Sequence, residues 1–473
     1  MQLRGDNHSV VAVIGDGALT GGEAYEGMNN AGKSDCNIIV VLNENEMSIS
    51  KNTGALALYL AQMRSTQKYY RTKNSVKSVL SKTPVIGKGI GAAMKGTKQM
   101  LKYAIYKSNL FENFGFKYLG PIDGHNLEEL TEALSVAKMM QRPCLVHVYT
   151  KKGKGYEPAE INSGEYHGIS PKNAVRYEGR NFTETFGQSL YTISKKDEHI
   201  CAITAAMKYG TGLQYFSKEF PQRFFDVGIA ESHAVTFAAG LAATGFIPVF
   251  AVYSSFLQRS FDQLVHDCSI EKRHIVLGCD RAGFVGEDGE THHGVFDVPM
   301  LTSIPGAVVY SPSDTKELEF CLNEAIYTDD GVAAVRYPRG CELYDSGCTE
   351  YYSYRHIGSM DKHKLIFTYG RITAFAVQLT ECADVLQAVK IFPIEDEIID
   401  ICKQYDEIYF FEESEKSGGI SEKICSILMQ SGYNGKVTIT AAEGFMPHMT
   451  VERQLERASL DYNGMKSIIG EQT

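Results

Sequence analysis

Eleven cysteines are spread over 473 residues with no C-x-x-C pair and no regular spacing. That absence argues against a zinc site or a disulfide framework, and leaves reduced, mostly buried thiols as the expectation. The chain also lacks a long uninterrupted apolar run. The longest, around Thr236–Tyr253, is broken by Gly240, Gly245 and Pro248, so no membrane span is expected. No basic-then-apolar leader opens the sequence, and a cytoplasmic location is the expectation. There is no short tandem repeat and no low-complexity tract. Positive charge is in deficit, with 47 Lys and Arg against 57 Asp and Glu and a formal net charge of −10. This disfavours a general nucleic-acid binder. One segment reverses the sign: residues 51–110 hold twelve Lys or Arg and no Asp or Glu, and read as a solvated basic connector.

What is present is ordinary for a soluble globular chain, 44% hydrophobic and 22% charged. The length suggests roughly three domains, and the motifs divide it at 1–170, 171–340 and 341–473. "SVVAVIGDG" reads as a buried parallel strand entering a loop, "GGEAYEGMNNAGK" as a helix closed by Gly32, and "CNIIVVLNEN" as a second buried strand. Strand, helix, strand is one βαβ unit, whose ligands belong beyond the carboxyl ends of the strands. After the basic segment, "LFENFGFKYLGPIDGHNLEELTEALSVAKMMQRPCLVHVY" repeats that pattern, and residues 157–185 read as an irregular linker. Strand-like runs follow at "ICAITA", "IPVFAVY", "HIVLGCD", "AVVYSP" and "VAAVRYP", then at "KLIFTYG", "AVKIFPI" and "EIYFFEE". The fold class is α/β.

Several polar residues fall at strand ends. Asp16 stands between two glycines after the first strand, and Asn45 follows the second. Together they supply two hard oxygen ligands on one edge, as Mg2+ requires when water and phosphate oxygens complete its octahedron. The flanking glycines allow a diphosphate to approach the backbone closely. A plain Gly-Asp-Gly turn before a polar loop has the same tripeptide. Glu231, in "GIAESHA", lies where a strand meets an Ala-rich helix, a position that also suits a carboxylate complementing the helix dipole. Tyr253 and Phe256 are spaced for a shared face, as core or as pocket wall. Arg281 and Arg339 sit on separate strand-end loops, either as surface ion pairs or as a bidentate phosphate clamp. His292 and His293 are adjacent, so their side chains diverge and a metal pair is not expected. His125 follows a Gly-containing turn and reads as structural.

"GDGALTGGEAYEGMNNAG", "LNENEMSIS", "YLGPIDGHN" and "TKKGKGYEPAE" together resemble the 1-deoxy-D-xylulose-5-phosphate synthase family more closely than transketolase. The resemblance extends over nearly the whole chain. It implies a three-domain, thiamin-diphosphate-binding, transketolase-like architecture. It implies Mg2+ on Asp16, the Asn45 side chain and the Met47 carbonyl, with Gly17, Ala18 and Tyr156 touching the cofactor. Glu231 becomes the carboxylate against the pyrimidine N1′, and Phe256 lies against that ring. Tyr253 and Arg259 line the substrate pocket, and Arg281 and Arg339 take the acceptor's phosphate. Asp288 and His292 orient the acceptor or shuttle protons, and His167 approaches the site from the linker. Ser232 departs from the glutamine common in the family, and should alter hydrogen bonding around the acid rather than the acid itself.

The implied reaction is thiamin-dependent decarboxylation of pyruvate and transfer of its two-carbon unit to glyceraldehyde 3-phosphate. It feeds isoprenoid (methylerythritol phosphate pathway), thiamin and pyridoxal biosynthesis, in a homodimer whose third domain carries little chemistry. One departure stands at the start. The family's region before "VVAVIGDGALTGG", with its Gly-His segments, has no counterpart in "MQLRGDNHS". A first domain truncated at its N-terminus, with an exposed sheet edge, is therefore expected. The alternative is an inactive fragment or one subunit of a split synthase that needs a separate N-terminal chain.

Overall fold

The computed structural model describes residues 8–34, 36–45, 55–63, 109–163, 166 and 179–470. The protein falls into two compact units, Met1–Pro171 with Gly228–Ala230, and Lys172–Val227 with Glu231–Thr473.

In the first unit, β1 (Val10–Gly15), β2 (Ile38–Glu44), β3 (Lys117–Asp123) and β4 (Cys144–Tyr149) form one sheet in the order β1-β2-β4-β3. All three pairings are parallel, so every strand delivers its carboxyl end to the same edge. The β-branched runs "VVAVIG" and "IIVVLNE" suit a sheet packed on both faces. Leu19, Met28, Val40, Leu42, Phe111 and Leu145 belong to one core layer, and Ile39, Ile122, Ala137 and Val146 to another. Helix Leu127–Met139 begins on Asn126, whose side chain accepts from the Glu129 N–H, the ordinary N-cap arrangement.

Two expectations are corrected here. β1 is not buried: Val10, Val11 and Val13 are 44%, 48% and 73% exposed, because among the described residues β1 is the edge of its sheet. Gly32 does not close its helix, which runs from Gly22 to Lys33 with Ser34 as its cap. Gly32 instead permits close packing, since a Cβ there would overlap the Phe114 carbonyl. The basic segment contributes a helix over 55–63, and its residues 51–54 and 64–108 lie outside the described residues. The expected linker is partly helical, with Glu157–Ile161 inside it and Phe182–Ser194 beginning in it on an Asn181 cap.

The second unit holds two sheets. One contains β5 (Ile200–Thr204), β6 (Phe224–Asp226), β7 (Ile247–Tyr253), β8 (Ile275–Asp280), β9 (Val308–Tyr310) and β10 (Val332–Arg336). The other contains β11 (Tyr354–Ile357), β12 (Lys364–Tyr369), β13 (Asp384–Ala388), β15 (Glu407–Glu415) and β16 (Lys436–Ala442), in the order β11-β13-β12-β15-β16. The remaining strand, β14 (Lys390–Phe392), crosses into the first of these sheets and pairs antiparallel with β9, giving the order β14-β9-β10-β8-β7-β5-β6. So "AVKIFPI", expected as a strand of the third block, adds its strand to the second. The sheets also share a core in which Ile203, Phe250 and Leu277 cluster with Leu365, Phe367 and Phe410.

The strands the sequence reading passed over are β11, β13 and β16. β11 has only four residues and no apolar alternation, whereas β16 alternates Val437 and Ile439 with threonines, a signal that was there to be used. Cys144, Cys201, Cys268, Cys279, Cys321 and Cys402 are buried and free. Among the described residues, no helix is long and apolar enough to cross a membrane.

Candidate functional site

Asp16 is the first residue beyond β1. The register that pairs Gly15 with Asn43 sets it beside the end of β2. Its N–H donates to the Asn43 carbonyl at 3.2 Å. Its carboxylate accepts from the Gly17 N–H at 3.0 Å and the Asn45 N–H at 3.1 Å. One buried carboxylate thus ties together two strand ends, and Asn45 lies next to it. The exit of β4 joins the same edge, since Thr150 donates through its hydroxyl to Asn43 Oδ1 and through its N–H to the Glu44 carbonyl, each at 2.8 Å.

A carboxylate and a side-chain amide are hard oxygen donors of the kind Mg2+ takes; here the backbone N–H of Asn45 sets that residue beside the Asp16 carboxylate, and among the described residues no three His, Cys, Asp or Glu gather as a metal group. A Cβ on Gly15 would meet nothing within 4 Å, so there is open space at this edge. Burial lowers the Lys152 ammonium below its ordinary pKa, and the charge of Asp16 opposes that. Gly17 precedes the short turn Ala18–Thr20. Tyr156, an exposed residue, precedes helix Glu157–Ile161 and packs edge-on against Tyr166 at 5.6 Å. Met47 and His167 lie outside the described residues. His125 accepts from the Lys151 N–H through Nε2 at 3.0 Å.

In the second unit the polar groups again stand at carboxyl ends of parallel strands. Glu231 opens helix Glu231–Ala242 after β6 and is only 3% exposed. Arg259 donates from Nη1 to Glu231 Oε2 at 3.1 Å, so this arginine, expected among the substrate contacts, lies against the acid. Ser232 donates to the Arg259 carbonyl at 2.7 Å. The departure at Ser232 therefore holds the backbone of the residue that partners Glu231.

Tyr253 ends β7 and stacks on Phe256, with ring centroids 5.6 Å apart. His292 meets Phe256 edge-on at 5.1 Å, while Thr291 Oγ1 lies 2.8 Å from His292 Nδ1. His293 turns the other way, into the protein, as adjacent side chains must. Arg281 follows β8, and Arg339 follows β10, the neighbouring strand. The Arg281 guanidinium lies over the Tyr253 ring, 3.8 Å from its centroid. It donates to Asp288 at 3.2 Å, Asp280 at 3.1 Å and the Gly210 carbonyl at 2.9 Å. Arg339 reaches the same Asp288 oxygen at 3.4 Å and Glu287 at 3.5 Å. Two guanidiniums thus converge on one carboxylate, with Asp280 and Glu287 as their further acidic partners. Arg281 adopts φ +62°, a left-handed conformation that costs a non-glycine residue about 1–2 kcal/mol. Its several partners offset that cost.

Burial pushes the Tyr253 phenol up to about 12, against the pull of Arg281. Burial likewise raises Asp280 to about 6, opposed by Arg281 and by the hydroxyl of Thr183, which donates to Asp280 at 2.7 Å. The sequence reading missed Asp280, although it directly precedes Arg281 at a strand end. Thr183 carried no signal, because it comes from a helix 97 residues away.

Two family profiles match. One is described as 1-deoxy-D-xylulose-5-phosphate synthase and matches residues 1–150. The other is the transketolase pyrimidine-binding domain, at residues 178–341. A 1-deoxy-D-xylulose-5-phosphate synthase of Natranaerobius thermophilus is 42% identical, over 97% of this chain and 76% of the relative. One from Clostridium perfringens is 41% identical, over 99% of this chain and 78% of the relative. The chain belongs to the 1-deoxy-D-xylulose-5-phosphate synthase family. Its members are thiamin-dependent, transketolase-type transferases, and this chain is an enzyme of that kind. Among solved structures, transketolase from Campylobacter jejuni shares the fold with a TM-score of 0.54 at 16% identity, covering 98% of this chain and 77% of that one. A split-gene transketolase, an inactive β4 tetramer, has a TM-score of 0.55 at 21% identity, covering 62% of this chain and 97% of that one. The fold is therefore transketolase-like.

Asp280 gives this synthase-family site a pH signature. Its pKa of about 6 lies above the ordinary 3.8, so the folded state holds the proton more tightly than the unfolded chain. Its contribution to stability is complete below the ordinary value and is lost as pH rises through about 6. Urea unfolding from about pH 4 to about pH 7 should show wild-type stability falling relative to Asp280→Asn, which has no proton to lose in that window. Parallel curves for the two proteins would show that Asp280 is ionised throughout.

Proposed function

We propose that this enzyme decarboxylates pyruvate and transfers the two-carbon unit to glyceraldehyde 3-phosphate, with thiamin diphosphate held through Mg2+. Its product would enter isoprenoid (methylerythritol phosphate pathway), thiamin and pyridoxal biosynthesis, in a cytoplasmic homodimer. The observation that carries the reading is the convergence of Arg281 and Arg339 on Asp288 at the ends of neighbouring parallel strands. Two guanidiniums held side by side suit a phosphorylated acceptor.

In the first unit, Asp16 and the Asn45 side chain would hold Mg2+ with the Met47 carbonyl, and Gly17, Ala18 and Tyr156 would contact the cofactor. When bound, thiamin supplies an acidic thiazolium carbon that acts as the nucleophile. In the second unit, Glu231 holds a proton toward the pyrimidine N1′. Its burial keeps water from competing for that hydrogen bond. Arg259 orients the Glu231 carboxylate, and Phe256 and Tyr253 form an aromatic wall that excludes water. His292, beside Phe256, moves a proton at the acceptor's carbonyl oxygen. Arg339 would exchange Glu287 for the acceptor phosphate beside Arg281, while Asp288 keeps the two guanidiniums oriented.

A second reading is that this chain works with a separate polypeptide that completes the first sheet. It is favoured by the exposed apolar edge of β1 at Val10, Val11 and Val13.

Replacing Arg281 or Arg339 by Ala should raise KM for glyceraldehyde 3-phosphate about tenfold or more, as expected for a lost charge-assisted hydrogen bond, and spare pyruvate decarboxylation. An equal loss with unphosphorylated glyceraldehyde would sink the phosphate role. Glu231→Gln should leave cofactor affinity by calorimetry near wild type and slow exchange of the thiazolium proton by about a hundredfold or more. A wild-type exchange rate would assign that work elsewhere. For the second reading, the purified 473-residue chain should be nearly inactive and gain activity when the relatives' unmatched segment is added. Turnover above about 1 s⁻¹ by the chain alone would reject it.

A further inference from the structure

Both arginine-bearing segments are held from the third sheet. Arg371 is the second residue after β12 and is buried. Its Nη2 donates to the Phe284 carbonyl at 2.7 Å, in the loop that begins at Arg281, and its Nη1 donates to the Arg339 carbonyl at 3.4 Å. One planar guanidinium therefore spans the backbones that carry the two phosphate-site arginines. Glu413 of β15 locks it, accepting from Arg371 Nε at 2.9 Å and also pairing with Nη2. The same carboxylate accepts the Phe284 N–H at 2.6 Å. The Phe284 residue is thus gripped through both its N–H and its C=O.

The loop is built for this grip. Its neck closes on itself, with Gly283 and Gly294 exchanging N–H···O bonds at 2.9 and 2.8 Å. Gly283 adopts φ +79°, and a Cβ there would come within 2.5 Å of the Glu413 carboxylate, so no larger residue fits beneath it. Phe284 and Val295 are buried in the core of the third sheet with Ile366, Phe411 and Leu455. Farther along, the Gly286 N–H donates to buried Gln454 Oε1 at 2.9 Å. His293 Nδ1 accepts from the Val285 N–H at 3.2 Å, which leaves Nε2 to donate to the Met446 carbonyl at 3.0 Å. His448, an exposed side chain, bonds the Glu287 carbonyl through Nε2 at 3.0 Å. The carboxyl-end loops of β12 and β16 and the side chain of Glu413 thus hold the loop along its length.

We infer that the third sheet is part of the catalytic apparatus, with Arg371, locked by Glu413, as the positioning residue that sets the spacing of Arg281 and Arg339. The inference rests on the acceptor-site reading proposed above. It gives the carboxyl-terminal region a role in acceptor recognition beyond packing. Lysine at 371 keeps a charge for Glu413 but cannot span two carbonyls with one rigid fork.

Hydrogen exchange by mass spectrometry on the full chain tests the grip without any need for activity. In Arg371→Lys, peptides covering 283–294 and 337–341 should exchange about tenfold faster, from the loss of one or two hydrogen bonds, with the peptides of β7 and β8 unchanged. If Arg371→Lys loosens the third sheet as a whole, His448→Ala decides. It removes one bond from an exposed side chain, and exchange should rise over 285–292 alone. Unchanged loop exchange in His448→Ala, or in an Arg371→Lys protein whose third sheet stays protected, overturns the inference. Steady-state kinetics separates the two readings. A loosened loop with a raised KM for glyceraldehyde 3-phosphate and an unchanged KM for pyruvate supports both. A loosened loop with neither KM moved leaves the grip standing and removes the acceptor-site reading.

Discussion

Parallel pairing is the constraint on which the candidate site depends. When strands run the same way, all their carboxyl ends leave the sheet along one edge, and residues far apart in sequence become neighbours there. Asp16 and Asn45 meet because β1 and β2 are parallel and in register. Arg281 and Arg339 meet because β8 and β10 are. The same directionality carries Arg371 out of β12 next to Glu413 of β15. The strand interiors are apolar, so the polar groups have nowhere else to gather.

The ion pairs behind the site are of a different kind from those in it. Arg336 pairs with Asp297 at 2.9 Å, and Arg371 with Glu413, all four side chains being buried. Desolvation cancels much of what such pairs gain, but breaking one costs about 3–5 kcal/mol because a buried charge is left alone. Their effect is therefore to forbid alternatives, fixing one arrangement of the loops they touch. At the candidate site the arginines keep partial exposure, and Asp288 and Glu287, their partners there, are partly exposed too. Rigid support beneath exchangeable contacts is the arrangement a binding site needs.

Much was legible in the chain because strong local signals coincide with function. The β-branched run before Gly15 announces β1, and the alternation of strand and helix announces the parallel sheets. Asp16, Asn45 and Glu231 were visible because strand ends are where such groups act, and the longer motifs tied them to a family. Other features left weak signals. β11 is too short to show a period, and Lys390–Phe392 looks like any strand of the third block until it pairs with β9. Gly32 resembled a helix stop because glycine usually is one; only the Phe114 carbonyl packed against it explains the residue. The bond from Arg259 to Glu231 joins residues 28 apart, and no local pattern signals it.

By itself the sequence determined the α/β class, the family, and which residues stand at strand ends, because these follow from local propensity and short-range pattern. Only the tertiary structure decided what those residues touch. That Asp288 is shared by two arginines, that Ser232 holds Arg259, and that Arg371 spans the backbones of Phe284 and Arg339 are contacts between segments distant in the chain. No period or propensity encodes them. They arise from the order in which strands pair and from the burial of a few charges that must find partners, and both are settled only when the whole chain is packed.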